Sequence, residues 1–136
     1  MDLMNSIKIS ASGMRAQGTR LRIVAENVAN AESLGNTPGA DPYRRKTIAF
    51  ENILDRDLNA DMVKVAKIGR DRSDFSLVYE PYHPLSNENG YLKRPNVNTL
   101  IEMTDMREAG RSYEANLSVI ESSKSLIQRT IELIRG

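Results

Sequence analysis

Apolar residues recur every seven positions at both ends of the chain, and the middle lacks that period. Near the start the row is Ile7, Met14, Leu21 and Val28, with Met4, Ala11, Gly18 and Ala25 as a companion three residues earlier. Near the end it is Met106, Tyr113, Ile120, Ile127 and Ile134, with Met103, Gly110, Leu117, Lys124 and Ile131 beside it. A seven-residue repeat draws one narrow apolar stripe along a helix, and such a stripe cannot be buried by its own helix. The pattern therefore predicts two long helices that pair with each other or with other chains.

The first helix is predicted over Leu3–Ala31, roughly 40 Å at about 1.5 Å per residue. Asp2 or Asn5 can cap it by accepting free backbone N–H groups. Its middle is rich in small residues (Ser10, Ala11, Ser12, Gly13, Ala16, Gly18), which admit a second backbone closely. Each glycine costs about 1 kcal/mol of helix propensity relative to alanine. This helix is expected to be stable only when packed. The second helix follows Pro95-Asn96-Val97-Asn98-Thr99 and runs to the end, on the order of 55 Å. Thr99 and Glu102 have the spacing of a capping box.

Between the helices, Asn30–Asp41 carries the turn residues Gly35, Asn36, Pro38 and Gly39. Strands are predicted over Lys46–Phe50, Met62–Ile68 and Phe75–Tyr79. Gly69–Asp74 reads as the hairpin loop joining the last two, and Asn52–Asp61 as a helical turn or a loop. Glu80–Pro95 reads as loop, with Asn89-Gly90 a type I′ turn signal. The fold class is thus mainly α with a small β insert: long N- and C-terminal helices packed as a coiled-coil-like pair around a hairpin-rich middle. The expected division is residues 1–31 plus 96–136 as a helical assembly domain and 32–95 as the insert.

Composition narrows the function. The chain has 136 residues, enough for one domain, but only 5% aromatics and no Trp, so a large core is poorly supplied. Lys+Arg is 19 against Asp+Glu 18, so no nucleic-acid footprint appears in the balance. There is no cysteine for disulfides or thiolate metal sites. No apolar run approaches a membrane span, and charges interrupt the first thirty residues, so no secretory signal is read there.

Candidate chemistry is thin. Asp55-Arg56-Asp57-Leu58-Asn59-Ala60-Asp61 opens like a calcium loop, but Ala60 replaces the turn glycine and Ala66 the closing Glu. His83 is the sole histidine and lies between Tyr82 and Pro84, so it reads as packing or surface. Arg44-Arg45-Lys46 is a short basic run, read as a solvated loop with anion binding as the sharper alternative. Asn116-Leu117-Ser118 matches a glycosylation sequon but lies on a predicted helix. Lys124 and Gly110 interrupt the second stripe, as a long stem reaching solvent or as a helix meeting several neighbours. No catalytic residue, metal site or cofactor is assigned, and the chain is read as a non-enzyme.

Ala11-Ser12-Gly13-Met14-Arg15-Ala16-Gln17, then Arg20-Leu21 and Ala25-Glu26-Asn27-Val28-Ala29-Asn30-Ala31, resembles the N-terminal signature of bacterial flagellar rod and hook proteins. Leu77-Val78-Tyr79-Glu80-Pro81, Pro84-Leu85 and Asn89-Gly90-Tyr91 are similar to the C-type proximal rod subunits of that family. So are Arg94-Pro95-Asn96-Val97-Asn98, Glu102-Met103, Asp105-Met106 and Ser112-Tyr113-Glu114-Ala115-Asn116. The resemblance implies a structural subunit of the flagellar basal-body rod, the drive shaft crossing the periplasm, exported without a cleaved signal by the flagellar type III apparatus. The partners it implies are other proximal and distal rod subunits, the junction protein at the membrane ring, and copies of the same chain, with peptidoglycan nearby. A cytosolic helical-hairpin adaptor or export chaperone would share the stripes without the motifs. A wall-cutting hydrolase would need an acidic pair, for which Asp74, Glu80 and Glu88 are only nominal.

Overall fold

The computed structural model describes residues 2–136. The order is α1 (Leu3–Ala29), β1 (Lys46–Asp55), β2 (Ala60–Arg70), β3 (Ser76–Tyr79), β4 (Tyr91–Arg94) and α2 (Thr99–Arg135). β1 pairs with β2 and β3 with β4, in two separate two-stranded antiparallel sheets. The class is the expected one: two long helices flanking a small β-containing middle.

Local chemistry sets the boundaries. Asp2 Oδ1 accepts the Met4 N–H at 3.1 Å and caps α1. The helix stops two residues earlier than the periodicity suggests, because Asn30 turns its amide back onto the Glu26 carbonyl at 2.9 Å. At the start of α2 the expected capping box does not form. Asn98, not Thr99, is the cap: its Oδ1 accepts the N–H groups of Leu100 and Ile101 at 3.1 and 3.4 Å. Glu102, freed from capping, turns inward.

The strand partners differ from expectation. The hairpin turn lies at residues 56–59, inside the stretch read as a helical turn or loop. Asp55 Oδ1 accepts the N–H groups of Asp57 and Leu58 at 3.0 and 3.2 Å, and Asn59 takes the left-handed conformation at φ 47°. Asparagine tolerates that region, so the turn needs no glycine. Gly69 and Arg70 complete β2, and residues 71–75 lead to β3 through a bend at Ser73 rather than a hairpin loop, with Ser73 N–H donating to Asp71 Oδ1 at 2.8 Å. β3 then pairs with β4, which lies within the stretch read as loop, in the register Leu77↔Lys93, Val78↔Leu92 and Tyr79↔Tyr91. The turn before β4 is not type I′. Gly90 donates to the Asn87 carbonyl at 3.0 Å, and only Gly90, not Asn89, has positive φ.

The chain divides into two units. The first comprises the chain up to Leu21, Ala49–Lys67 and Arg107–Gly136. Here α1 and α2 run antiparallel: Gly13 faces Asn116, Gly18 faces Tyr113, and Arg20 reaches Glu108 at 3.5 Å. The hairpin joins through Val63 N–H, which donates to Ser12 Oγ at 3.3 Å. The second comprises Arg22–Ile48 and Ile68–Met106. It buries Ile23 and Val24 of α1 and Leu92 of β4, together with Pro42, Gly90 and Pro95.

Candidate functional site

Two groups of residues stand out, and only one was visible as an apolar pattern. The other is a buried polar network in the second unit, centred on Asn27. Both Asn27 and Glu102 are only 1% exposed. Asn27 Nδ2 donates to the Lys46 carbonyl at 2.9 Å and to Glu102 Oε2 at 3.4 Å. Its Oδ1 accepts the Lys46 N–H at 2.9 Å and the Tyr43 hydroxyl at 2.8 Å. One amide thus spends its full donor and acceptor capacity on fixing the entry of β1 against α1.

Glu102 Oε1 accepts from Arg45 Nε, and Arg45 Nη1 reaches Asp71 Oδ2 at 3.4 Å. The Arg45 N–H donates to Asn96 Oδ1 at 2.8 Å, and Asn96 Nδ2 donates to the Asp71 carbonyl at 3.1 Å. Arg44 Nη1 donates to the carbonyls of Asp71 and Ser73 at 2.8 and 3.0 Å, its guanidinium lying 4.2 Å from the centre of the Phe75 ring. Lys46 Nζ pairs with Glu26 at 2.7 Å. The basic run Arg44-Arg45-Lys46 is therefore neither a solvated loop nor a free anion site. It straps α1, the bend at Asp71 and the start of α2 together. Removing one partner of such a buried pair strands the other charge, which is why these networks are costly to break.

The titration shifts follow the same contacts. Glu26 is held below the ordinary carboxylate value by its hydrogen bond to Lys46. Asp71 is held low first by the Ser73 N–H and hydroxyl, then by the Arg45 charge. Burial pulls Arg45 down, but its bonds to Glu102 and Asp71 outweigh this and raise it. Burial raises Tyr43.

The second group is apolar and exposed. Of the predicted stripe residues, Ile7, Met14, Leu21, Val28, Met106, Tyr113, Ile120 and Ile127 are half-buried, while Leu117 and Ile134 are exposed. The companion residues Met103, Lys124 and Ile131 are exposed as well. The positions that α2 buries most form a different heptad series: Glu102, Ala109 and Ser123, with half-buried Asn116 between them. Those residues are small or polar, so an apolar search passes over them. Tyr113 and Met14 line a shallow apolar groove with Ala11 and Gly18. Large apolar side chains are left uncovered instead, Leu133 at 82% and Ile134 at 81% exposure among them.

The motif residues have structural work. Asn27 and Asn96 sit in the polar network, and Asn30 ends α1. Gly90 is buried where any Cβ would meet Tyr79 at 3.0 Å and Pro81 at 3.1 Å. Tyr91 packs its ring 5.2 Å from that of Tyr79, Pro95 is buried, and Asn89 is exposed in its turn. Asn116 would stand 2.8 Å from a Cβ on Gly13. His83 is a turn residue whose Nδ1 accepts the Leu85 N–H at 3.0 Å. Among the described residues, no group of three or more acidic, His or Cys side chains could hold a metal, and no helix is long and apolar enough to cross a membrane.

A pair of helices with uncovered apolar rows, held by an internal polar strap, defines a subunit whose surface is completed by others. Residues 88–133 match the family described as flagellar basal body rod FlgEFG protein C-terminal. The chain is 56% identical over 129 residues to the flagellar basal-body rod protein FlgC of Agrobacterium fabrum, covering 95% of this chain and 93% of that one. It is 39% identical to FlgC of Salmonella typhimurium, covering 98% of each, and 37% identical to FlgC of Borreliella burgdorferi over the full length of both. The chain belongs to the FlgC family of flagellar basal-body rod proteins.

Proposed function

We infer that the chain is a structural subunit of the proximal part of the flagellar rod, polymerising into the shaft that carries torque across the periplasm. The single observation that carries the reading is the row of uncovered apolar side chains on helices of a chain 56% identical to a rod protein. A lone soluble subunit gains nothing from such rows; a helical array of head-to-tail contacts buries them. The heptad residues named above serve as the assembly interface. Residues 1–31 with 96–136 act as the assembly domain, and 32–95 act as the lateral insert. The partners are further copies and other proximal and distal rod subunits, with the ring junction and the export apparatus as the neighbours at its base. No chemistry is assigned to it.

The test is mass spectrometry of detergent-washed hook–basal bodies beside cytosol from the same cells. Enrichment with the rod is expected; retention in the cytosol would instead support an adaptor or chaperone. A polar residue at Leu21 or Ile120 is expected to abolish motility, and normal swimming with either would remove the stripes from the interface.

A further inference from the structure

Asn89 is the one asparagine of this chain that a glycine follows. The backbone nitrogen of the next residue can attack an asparagine side chain, and glycine offers that nitrogen with no Cβ in the way. Asn89 is exposed, and among the described residues none hydrogen-bonds its side-chain amide. Gly90, by contrast, is buried and held at both backbone groups. Its N–H donates to the Asn87 carbonyl at 3.0 Å, and its carbonyl accepts the Glu80 N–H at 3.0 Å. Asn87 to Gly90 is thus a hydrogen-bonded turn in which neither Glu88 nor Asn89 has positive φ, the type I form. In that form ψ at Asn89 is about 0°, which points the Gly90 nitrogen away from the Asn89 side chain.

We propose that Asn89 is a site of spontaneous deamidation that the folded turn keeps shut and the unfolded chain leaves open. The Gly90 nitrogen gives its proton to hydroxide and attacks Asn89 Cγ. The new N–Cγ bond closes a succinimide ring, the Cγ–Nδ2 bond breaks, and Nδ2 takes up a proton and leaves as ammonia. Water then opens the ring at one of its two carbonyl carbons. Opening at Cγ leaves aspartate. Opening at the former backbone carbonyl leaves isoaspartate, whose main chain runs through Cβ and Cγ. In the folded turn the attacking N–H is engaged by the Asn87 carbonyl, and ring closure must rotate ψ away from the turn value and break that bond. The isoaspartate product also has nowhere to go. A Cβ on Gly90 would already meet Tyr79 at 3.0 Å and Pro81 at 3.1 Å, so a lengthened main chain does not fit there. The extra carbon falls just before Tyr91, whose N–H donates to Asn87 Oδ1 at 3.0 Å and which pairs with Tyr79. A chain that has aged unfolded therefore loses the register that buries Leu92.

The full-length chain is incubated folded in buffer and unfolded in guanidinium chloride, both at the same mildly alkaline pH. Each sample is desalted and digested with pepsin, in acid that halts the reaction. Mass spectrometry then gives the rate at each asparagine, and labelling by an isoaspartyl methyltransferase measures the isoaspartate. Asn89 is expected to react roughly tenfold or more faster in the unfolded chain, because the folded turn must open first. Unfolded, it should also outpace Asn36 by roughly tenfold or more, since Asn36 is exposed too but precedes Thr37. Equal rates in the two states would overturn the lock, and an Asn89 no faster than Asn36 in the unfolded chain would overturn the site. Asn89→Gln keeps the backbone bonds of the turn and lengthens the side chain, which closes its ring far more slowly. After the same time in denaturant, the unsubstituted chain is expected to refold in smaller yield than Asn89→Gln, by the fraction that carries isoaspartate. Equal yields would overturn the dependence of the β3–β4 register on this residue.

Discussion

The two units bury opposite kinds of residue. In the unit holding Asn27 and Glu102, the interior contains branched and ring side chains, Ile23, Val24, Leu92, Pro42 and Pro95, alongside a satisfied ionic network. In the unit holding the helix ends, the buried side chains are Ser10, Ser12, Ala16, Ala109 and Ser123, all small. Burial of apolar surface is worth roughly 25 cal/mol per Å², and small side chains supply little of it. The first kind of interior ties its elements together through paired polar and charged groups. The second brings two backbones close through small side chains. Both leave large apolar groups outside, Tyr82 and Leu100 in the one and Leu133 and Ile134 in the other.

Hydrogen exchange on the monomer is the strongest way to break the comparison. Amides of Ile23–Asn27 are expected to be protected by about 5 kcal/mol more than those of residues 128–135, which lack tertiary cover. Equal protection in the two segments would mean that the small-residue interior is sufficient. Circular dichroism should likewise show less helix in the monomer than in the assembled form.

Next in size, Glu102→Ala is expected to destabilise the chain by about 3 kcal/mol in urea unfolding, because the Arg45 guanidinium is then left without its buried partner. A loss below about 0.5 kcal/mol would show that the strap is ornamental. Gly110→Ala should stabilise the monomer by about 1 kcal/mol through helix propensity, since an added Cβ there meets nothing within 4 Å. The same change at Gly13 should gain less, as the Asn116 amide must move away from its 3.0 Å bond to the Ser112 carbonyl. Melting temperatures of the two variants test both.

The smallest effect is in acid. Asp71 and Glu26 have folded values below their ordinary 3.8 and 4.5. Their contribution is therefore complete above about pH 4.5 and is lost as pH falls through the depressed values. Asp71→Asn should make the acid limb of the stability curve shallower, and an unchanged limb would remove Asp71 from the account.

The helices and the family were legible because heptads and motifs are written in residue types. What escaped was written in pairings. Glu102 looked like the closing residue of a capping box, and nothing local says that Asn98 caps instead and that the carboxylate turns toward Arg45, 57 residues away in sequence. Arg44-Arg45-Lys46 looked solvated because each partner lies on another element. The β1–β2 turn was missed because Asn59, rather than a glycine, takes the left-handed position. β4 was missed because Tyr91–Arg94 is four residues between a turn and a proline. Conversely, the row Glu102, Ala109, Asn116, Ser123 has a clear period and no hydrophobicity, so an apolar search is blind to it.

Asn27 also limits what chemistry its position tolerates. Its amide is used in both senses at once, giving two hydrogen bonds and receiving two, so no side chain of its size replaces it: leucine offers neither sense and aspartate only one. Deamidation there would turn the donor facing Glu102 into a second carboxylate about 3.4 Å away, leaving two anions to share one guanidinium. A free subunit damaged in this way can unfold and be cleared, whereas one already built into a filament is held in place by its neighbours. The bonds that hold the Asn27 amide in α1 also keep it from the flexing that deamidation needs, so the contacts that fix β1 protect the residue that makes them.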